Sequence, residues 1–398
     1  MRRNLLRSNN LERRLDFLPF GRPDFSDAEI DAVARILRSG WIGTGAEVQA
    51  FERELADYVG AAHVVALDSC TSALHLSLAA LGVGPGDEVI CPSLTWCSSA
   101  NAALYLGADV AFCDVDPNTL CLSPETIAPK LSPRTKAVVA VHFGGLAIDL
   151  APLRDMLPDR VLLIEDAAHA LAARYPDGTS VGSAGRPTCF SFYANKNLST
   201  ADGGAVAVAD ARMAETLRCL QQHGQSADAW KRYTESKKLL ITHVMQLGYK
   251  ANYTDLHAAI GRVQLRRLSE LQQRRREVAA CYARRLSGED LGLRWQQNVF
   301  EESHALHLAV VLLPLERLAA SRDEIVVELR QRNIGATIHY VPLHVMPFYE
   351  QEFGPCELPT TEDVAQRIMT LPISSSMTVQ DAEYVCDHLI DVLQQAAR

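Results

Sequence analysis

The chain has 398 residues, of which 48% are hydrophobic and 22% are charged, a composition typical of a globular protein with about two to three domains. Its formal net charge of −9 argues against nucleic acid as the main partner, because a phosphate backbone binds to a basic surface. The ten cysteines form no C-x-x-C pair, so we expect reduced core residues in a cytoplasmic protein rather than disulfides or a metal site. No apolar stretch approaches the ~20 residues of a membrane-spanning helix, so no membrane contact is expected.

The N-terminal segment, residues 1–19, is rich in arginine and precedes the first predicted helix. No apolar core follows its basic residues, which argues against a secretory signal. We interpret the segment as an arm that packs on the body of the protein or on a partner subunit. A transit peptide remains an alternative, although Glu12 and Asp16 fit one poorly.

Residues 20–265 carry the alternating pattern of a large α/β domain. The first helix is predicted to begin with a capping box at Ser26 and Glu29 and to stop at Gly40. Short apolar strands then alternate with helices, and the predicted strands lie at 63–69, 87–93, 108–115, 135–143, 160–166, 187–194 and 203–209. Such strands predict a largely parallel, doubly wound sheet that is covered by helices on both faces.

The pattern changes near residue 254, where a long helical stretch is expected to lead into a smaller α+β domain at 266–398. The predicted strands of this domain lie at 306–313 and 335–341, and its predicted helices lie at 322–333 and 378–395. The polar segment 226–246 is the best candidate for a mobile loop.

The stretch "GVGPGD" at residues 82–87 is similar to a dinucleotide-binding fingerprint. It follows a predicted helix and precedes a predicted strand, which is the reverse of the order that phosphate binding requires. We therefore interpret it as a turn, and a simple NAD-dependent dehydrogenase is excluded.

Two charged side chains follow neighbouring buried strands of the predicted sheet. Asp166 ends the strand "VLLIED", and Lys196 follows the aromatic strand in "CFSFYANKNL". Taken singly, Asp166 could be a helix cap or part of a structural ion pair, and Lys196 could extend to solvent. Taken together they fit pyridoxal phosphate, because the lysine can bind the aldehyde while the aspartate keeps the ring nitrogen protonated.

Other side chains could complete such a site. Ser69, Thr71 and Ser72 lie at a helix start after a strand, where N–H groups and hydroxyls bind phosphate. Trp96 follows the next strand and could stack on a ring, and His169 lies on the turn after Asp166. Each also has an ordinary structural interpretation, as a helix cap or as a core residue.

Together these motifs resemble the DegT/DnrJ/EryC1/StrS aminotransferases, pyridoxal-phosphate enzymes that aminate nucleotide-linked ketosugars. The resemblance runs from about Phe20 to near the C-terminus and includes "DSCTSALHLSLAALGVGPGDEVICPSLTW", "IEDAAHA", "FSFYANKNLSTADGG" and "GYKANYTDLHAAIGRVQL" in order. Within the family, the chain looks closest to enzymes that aminate UDP-linked 4-ketosugars.

The resemblance implies the fold and the cofactor contacts. The fold would be fold type I of the pyridoxal-phosphate-dependent transferases, the aspartate aminotransferase type. It has a three-layer α/β/α large domain with a mostly parallel seven-stranded sheet and a smaller α+β C-terminal domain. Lys196 would hold the cofactor aldehyde and shuttle protons, and Asp166 would pair with the ring nitrogen. The other implied contacts are Thr71, Ser72, Trp96, His169, Ser191 and, across a homodimer with shared active sites, Asn252 of the neighbouring subunit. Asn195 departs from the family pattern, in which an apolar residue or threonine often precedes the lysine.

The resemblance also implies the reaction. L-glutamate would convert the cofactor to pyridoxamine phosphate, and a UDP- or dTDP-linked 4-ketosugar would then accept the amino group in a ping-pong cycle. Candidate contacts for the sugar nucleotide are Thr44, Lys231, Arg232, Lys237, Lys238, Lys250, His339, Tyr340 and His344. A sugar dehydratase, a C3-ketosugar aminotransferase and a non-catalytic binding homologue remain open, although Lys196 argues against the dehydratase. No metal is expected.

Overall fold

A seven-stranded sheet forms the centre of the computed structural model, which describes residues 11–225, 243–287 and 291–398. Its strands are β1 (His63–Leu67), β2 (Glu88–Pro92), β3 (Asp109–Cys113), β4 (Thr135–Val141), β5 (Leu162–Asp166), β6 (Thr188–Ser191) and β7 (Gly204–Val208). In space they follow the order β1-β7-β6-β5-β4-β2-β3, and β7 alone runs against the others. The predicted, mostly parallel sheet is therefore confirmed.

Helices of the described ranges cover the central sheet and form much of the C-terminal part. They are α1 (Asp27–Ser39), α2 (Ala46–Val59), α3 (Cys70–Ala80), α4 (Ser98–Leu104), α5 (Pro124–Ile127), α6 (Leu150–Met156), α7 (Ala211–Leu220), α8 (Asp255–Leu286), α9 (Arg322–Gln331), α10 (Pro347–Phe353), α11 (Pro359–Arg367) and α12 (Val379–Ala396). Single turns of 3₁₀ helix occur at Ala128–Lys130, Phe143–Gly145, Leu315–Arg317 and Leu343–Val345. The predicted capping box at Ser26 and Glu29 starts α1, and Gly40, at φ 75°, ends it.

Both faces of the sheet are buried, because successive side chains of a strand point in opposite directions. In β1, Val64 and Ala66 join one core, which also contains side chains of α2 and α8. Val65 and Leu67 join a second core together with side chains of α3, α4 and α7. The result is the expected α/β/α arrangement in three layers, and the fold-class prediction is confirmed.

A second, smaller sheet lies in the C-terminal part of the chain. Its antiparallel strands are β8 (Arg294–Trp295), β9 (Ala309–Leu312) and β10 (Ile368–Leu371), in the order β10-β9-β8. The strand predicted at 335–341 is wrong. That stretch makes only an isolated bridge at Thr337, to Thr370, because its backbone then leaves the sheet and carries His339 and Tyr340 towards a cavity.

The predicted division at residues 265 and 266 falls inside α8, a continuous helix of 32 residues. One part of this helix contacts α1 and α2, and another part contacts α12. The helix therefore belongs both to the large α/β part and to the C-terminal part of the chain. The division into 1–19, 20–265 and 266–398 stays a prediction. In the described part of the N-terminal arm, Leu18 forms a bridge with Ile334, and Arg14 pairs with Asp381 of α12.

Two further expectations concern a membrane-spanning helix and a metal site. None of the helices in the ranges given above is both long and apolar enough to cross a bilayer. Within the same ranges, no three His, Cys, Asp or Glu side chains lie where they could bind a metal ion together.

Most of the segment 226–246, the candidate mobile loop, lies outside the described residues.

Candidate active site

A cavity of about 460 Å³ opens at the carboxyl ends of the central strands. This is the edge of an open α/β sheet at which ligands generally bind. Nine of the residues predicted from the sequence line it, namely Ser69, Thr71, Trp96, Asp166, His169, Ser191, Lys196, His339 and Tyr340. These residues come from distant parts of the chain, and the fold brings them to one place.

Asp166, the last residue of β5, supplies the carboxylate of the cavity and is only 6% exposed. The Ser99 hydroxyl donates a hydrogen bond of 2.7 Å to its Oδ2 atom, and the Ala168 N–H donates one of 3.1 Å to Oδ1. These two donors fix the plane of the carboxylate. A buried carboxylate that still faces a cavity is well placed to meet a cationic group of a ligand.

Lys196 supplies the amine and lies in the turn after β6, where its N–H donates to the Tyr193 carbonyl oxygen at 2.9 Å. Burial lowers the pKa of Lys196 from 10.5 to about 8, against the opposing effects of Cys70 and Asp166. At that pKa about a tenth of the amine is neutral at pH 7, far more than for an exposed lysine. A neutral amine is the nucleophile that Schiff-base chemistry requires.

Hydroxyl groups cluster beside the start of α3. Ser69 caps this helix, because its Oγ accepts a hydrogen bond of 3.1 Å from the Ser72 N–H. Thr71 and Ser98 join the first turns of α3 and α4 through a 2.7 Å contact between their hydroxyls. Ser191 ends β6 at the same cavity. Hydroxyls at a helix N-terminus form a suitable cradle for a phosphate group.

The glycine pair after Asp202 lets β7 approach this cradle. A Cβ atom at Gly204 would lie 2.5 Å from the Cys70 nitrogen and 2.5 Å from the Ser69 carbonyl carbon, which is too close for any side chain. Gly204 therefore allows the strand to pack directly against the start of α3. The motif "DGG" positions the candidate phosphate cradle as well as turning the chain.

Aromatic and imidazole rings form the remaining wall. The Trp96 ring is 59% exposed and lies 5.9 Å from the Tyr340 ring, measured between centroids. His169 accepts a hydrogen bond of 3.3 Å from the Gly144 N–H at Nδ1, so its Nε2 atom carries the proton and donates to the Tyr340 oxygen at 3.2 Å. Burial is the main reason that the pKa of His169 lies well below its usual value, and the ring is neutral.

Five predicted residues of the described chain do not line the cavity. One of them, Ser72, acts through the cap of α3. Thr44, Lys250 and Asn252 lie together, because the Asn252 amide donates to the Thr44 hydroxyl at 2.7 Å and Lys250 contacts the Asn252 side chain. His344 is buried elsewhere, with its Nδ1 atom 2.7 Å from the Ser93 hydroxyl, which leaves it outside the cavity lining.

The predictions at Lys231, Arg232, Lys237 and Lys238 lie outside the described residues. Other residues of the site went unpredicted, above all Ser99 and His307. Ser99 follows Trp96 at a helix start, a position that could have suggested its role. His307 lies 3.5 Å from the Lys196 amine but 111 residues away in sequence, so no local signal identifies it.

Asn195, for which the sequence offered no explanation, lines the cavity beside Lys196. Its Oδ1 atom is buried and lacks a hydrogen-bond partner within the described ranges. Gly21 lies against it, since a Cβ atom at this glycine would be 3.4 Å from the Asn195 Cβ. The structure thus gives Asn195 a location, but no function.

Comparison with known proteins identifies the chain as a pyridoxal-phosphate-dependent aminotransferase. The model of the DegT/DnrJ/EryC1/StrS aminotransferase family matches residues 23–390, and the chain belongs to that family. The spore coat polysaccharide biosynthesis protein SpsC of Bacillus subtilis is 39% identical over 390 residues, which cover 97% of this chain and 100% of SpsC.

Two solved structures give the same result. The pyridoxamine-phosphate form of Spr1654 from Streptococcus pneumoniae, a proposed sugar aminotransferase, superimposes with a TM-score of 0.88 at 28% identity, covering 95% of this chain and 99% of that one. The aminotransferase TlmJ from Streptoalloteichus hindustanus gives a TM-score of 0.86 at 35% identity, with the same coverage of both chains. The predictions of family, enzyme class and cofactor are confirmed.

The residues present fit the cofactor that this family uses. The same cavity contains a lysine whose pKa is lowered to about 8, a buried carboxylate that is held by two donors, and a cluster of hydroxyls at a helix start. These are the groups that an aldehyde, a pyridinium nitrogen and a phosphate respectively require.

Proposed function

We propose that the chain transfers the amino group of L-glutamate to a nucleotide-linked ketosugar, of the UDP- or dTDP-linked 4-keto type, in a ping-pong cycle. The observation that carries the proposal is the presence of Lys196 and Asp166 in one cavity. The sugar substrate is supported by the relatives, since SpsC takes part in spore coat polysaccharide biosynthesis and Spr1654 is a proposed sugar aminotransferase. Both substrates are small molecules, and we place the reaction in the cytoplasm.

Lys196 is the catalytic base of this proposal. When bound, pyridoxal phosphate supplies a protonated ring that withdraws electrons from the carbon that loses its proton. Lys196 would hold the cofactor aldehyde until the amino donor displaces it, and the freed neutral amine would then move a proton at the donor Cα atom. The lowered pKa of Lys196, about 8, supports the role, because a base acts best when its pKa lies near the working pH.

Asp166 holds the proton on the ring nitrogen. Its carboxylate cannot turn away, because Ser99 and the Ala168 N–H bind one oxygen atom each. Thr71 and Ser191 would bind the phosphate with the N–H groups at the start of α3, and Ser72 would support them through the cap of that helix. Trp96 would stack on the ring, and His169, fixed between Gly144 and Tyr340, would contact it as well.

The substrate side of the site is proposed from position. His339 and Tyr340 line the cavity and would contact the sugar. Thr44, Lys250 and Asn252 form a polar group outside it, which suits contacts with the neighbouring active site of a homodimer. Lys231 and Arg232 stay proposed contacts of the nucleotide diphosphate.

The function can be tested in two half-reactions. Incubation with L-glutamate alone should release 2-oxoglutarate in an amount equal to the enzyme. Addition of a panel of UDP- and dTDP-linked 4-ketosugars should then give one aminosugar, detected by mass spectrometry and located by NMR. Release of 2-oxoglutarate without any aminosugar would exclude these acceptors, and loss of water from the sugar would indicate a dehydratase.

A further inference from the structure

The buried histidine His307 faces Lys196 from outside the cavity lining. Its Nε2 atom lies 3.5 Å from the Lys196 amine, and the residue is 4% exposed. Its Nδ1 atom is also buried and finds no hydrogen-bond partner within the described part of the chain. A buried ring nitrogen without a partner costs stability, so a histidine at this position suggests a role beyond packing.

The backbone around His307 is held from several directions. The side-chain amide of Asn197, the residue after Lys196, donates to the Ala305 carbonyl oxygen at 2.6 Å, and Gln272 of α8 donates to the same oxygen at 2.7 Å. The Leu308 N–H donates to the Gly144 carbonyl oxygen at 3.0 Å. The turn that carries Lys196 and the segment that carries His307 are therefore fixed relative to each other.

The residue before His307 adds a second restraint. Leu306 has φ 53°, the left-handed region that side chains with a Cβ rarely adopt. Its N–H donates to His304 at 2.9 Å, and its carbonyl oxygen accepts from Arg275 at 3.1 Å, so both backbone groups are bonded. This unusual bend sets the direction in which His307 points.

Burial, together with the charged groups nearby, keeps the His307 ring neutral. Burial is the main cause that lowers its pKa well below the usual value, followed by Lys196, His169, Arg275 and His339. The His169 ring lies 4.4 Å away between centroids. Arg275 is 2% exposed and binds the Leu306 and Ile373 carbonyl oxygens; burial lowers its pKa to about 10, so it stays charged at neutral pH.

We propose that His307 is a positioning residue for Lys196, whose neutral ring accepts a hydrogen bond from the lysine nitrogen at Nε2. One N–H of the lysine is then directed away from the cavity, and the lone pair of the neutral amine faces the position of the aldehyde. The inference rests on the proposed role of Lys196. His307 would be the group that orients the Lys196 amine.

The test compares two variants of His307 whose amide side chains differ in length. In His307→Gln the side chain can still place a polar atom near the Lys196 amine, whereas in His307→Asn it is too short. His75→Asn is the matched control, because His75 also has a buried ring nitrogen with no hydrogen-bond partner among the described residues and does not line the cavity. The full chain is freed of cofactor, and the rate of pyridoxal phosphate capture is followed by absorbance against pH.

We expect His307→Asn to lower the limiting capture rate at high pH by about tenfold or more, because a misdirected nucleophile loses orientation. The pH midpoint of capture should also fall, because the ammonium form of Lys196 loses an acceptor that stabilises it. The other groups around the amine are unchanged in this variant. They are Cys70 and Asp166, which raise the pKa of Lys196, and His169, His339 and Tyr340. His307→Gln and His75→Asn should stay within about threefold of the wild type.

Equal rates and midpoints in the Asn and Gln variants would overturn the inference. Equal loss in His75→Asn would do the same, since it would indicate a general effect of removing a buried histidine. The proposed function is judged separately. If the wild type captures pyridoxal phosphate as described but forms no aminosugar, the function fails while the role of His307 stands.

Discussion

Two neighbouring carboxylates on β5 show how the chain separates structural from functional charge. Glu165 is fully buried and accepts hydrogen bonds from His142 at 2.8 Å, from Thr188 at 3.0 Å and from the Tyr175 hydroxyl. Asp166, the next residue, points to the other face, where two donors hold it at the cavity. Glu165 meets all its donors inside the protein, whereas Asp166 is open to a ligand.

The hydrogen-bond partners of Glu165 are all protein groups, whereas the cavity leaves Asp166 accessible to a ligand. The Nδ1 atom of His142 accepts from the Ile148 N–H at 3.0 Å, so its Nε2 atom carries a proton and donates to Glu165. Tyr175, whose pKa is raised by burial and by Glu165, stays protonated and donates as well. Removing one partner from such a network should therefore reduce stability, whereas changes at Asp166 should reduce activity.

The largest effect is expected at the amine that shares the cavity with Asp166. Lys196→Ala should lower aminotransfer by about 10³-fold or more, because the chain loses both its nucleophile and its base. The visible absorbance of the bound cofactor should change as well, while the thermal midpoint of unfolding should stay close to that of the wild type. Residual turnover within about tenfold of the wild type would contradict the role of Lys196.

Asp166→Asn tests whether the Asp166 carboxylate serves activity rather than stability. We expect turnover to fall by about 10²-fold, because a neutral amide cannot keep the ring nitrogen protonated. The free energy of unfolding should change little, because the amide oxygen can still accept from the Ala168 N–H while the Ser99 hydroxyl can turn towards Thr95 and accept from the new N–H group. A loss of stability without a loss of turnover would place Asp166 in the structural class with Glu165.

Glu165→Gln makes the same chemical change, from carboxylate to amide, and tests whether Glu165 serves stability rather than activity. His142 and Tyr175, which donate to one oxygen of Glu165, would lose a charged acceptor, and Thr188 would have to turn its hydroxyl towards the Arg186 carbonyl oxygen to accept from the new N–H group. We expect a loss of about 2 kcal/mol in the free energy of unfolding. Urea denaturation of cofactor-free protein measures it. Turnover per folded molecule should stay within about threefold of the wild type. A larger drop in turnover with unchanged stability would contradict the separation.

Gly204→Ala should have the smallest effect of the four. The new Cβ atom would meet the Ser69 and Cys70 backbone at 2.5 Å and move the start of α3, so we expect the Kd of pyridoxal phosphate to rise about tenfold. Gly84→Ala is the matched control, because nothing lies within 4 Å of its Cβ position. Equal affinities in the two variants would remove Gly204 from the phosphate cradle.

The cavity residues at strand ends were predictable because parallel strands end at one edge of a sheet. Asp166, Ser191 and Lys196 follow this local rule. His307 does not, because it reaches Lys196 only through the packing of the C-terminal part against the turn after β6. The strand expected at 335–341 failed for a related reason, since an apolar pattern cannot indicate where a chain leaves a sheet to reach a cavity.

The most direct test of the account is covalent mapping of the lysine. The full chain is loaded with pyridoxal phosphate, reduced with borohydride and digested, and its peptides are identified by mass spectrometry. We predict a single pyridoxyl group, on Lys196, and no such peptide from Lys196→Ala. A pyridoxyl group on another lysine, or none on the loaded wild type, would contradict the central claim that Lys196 carries the cofactor.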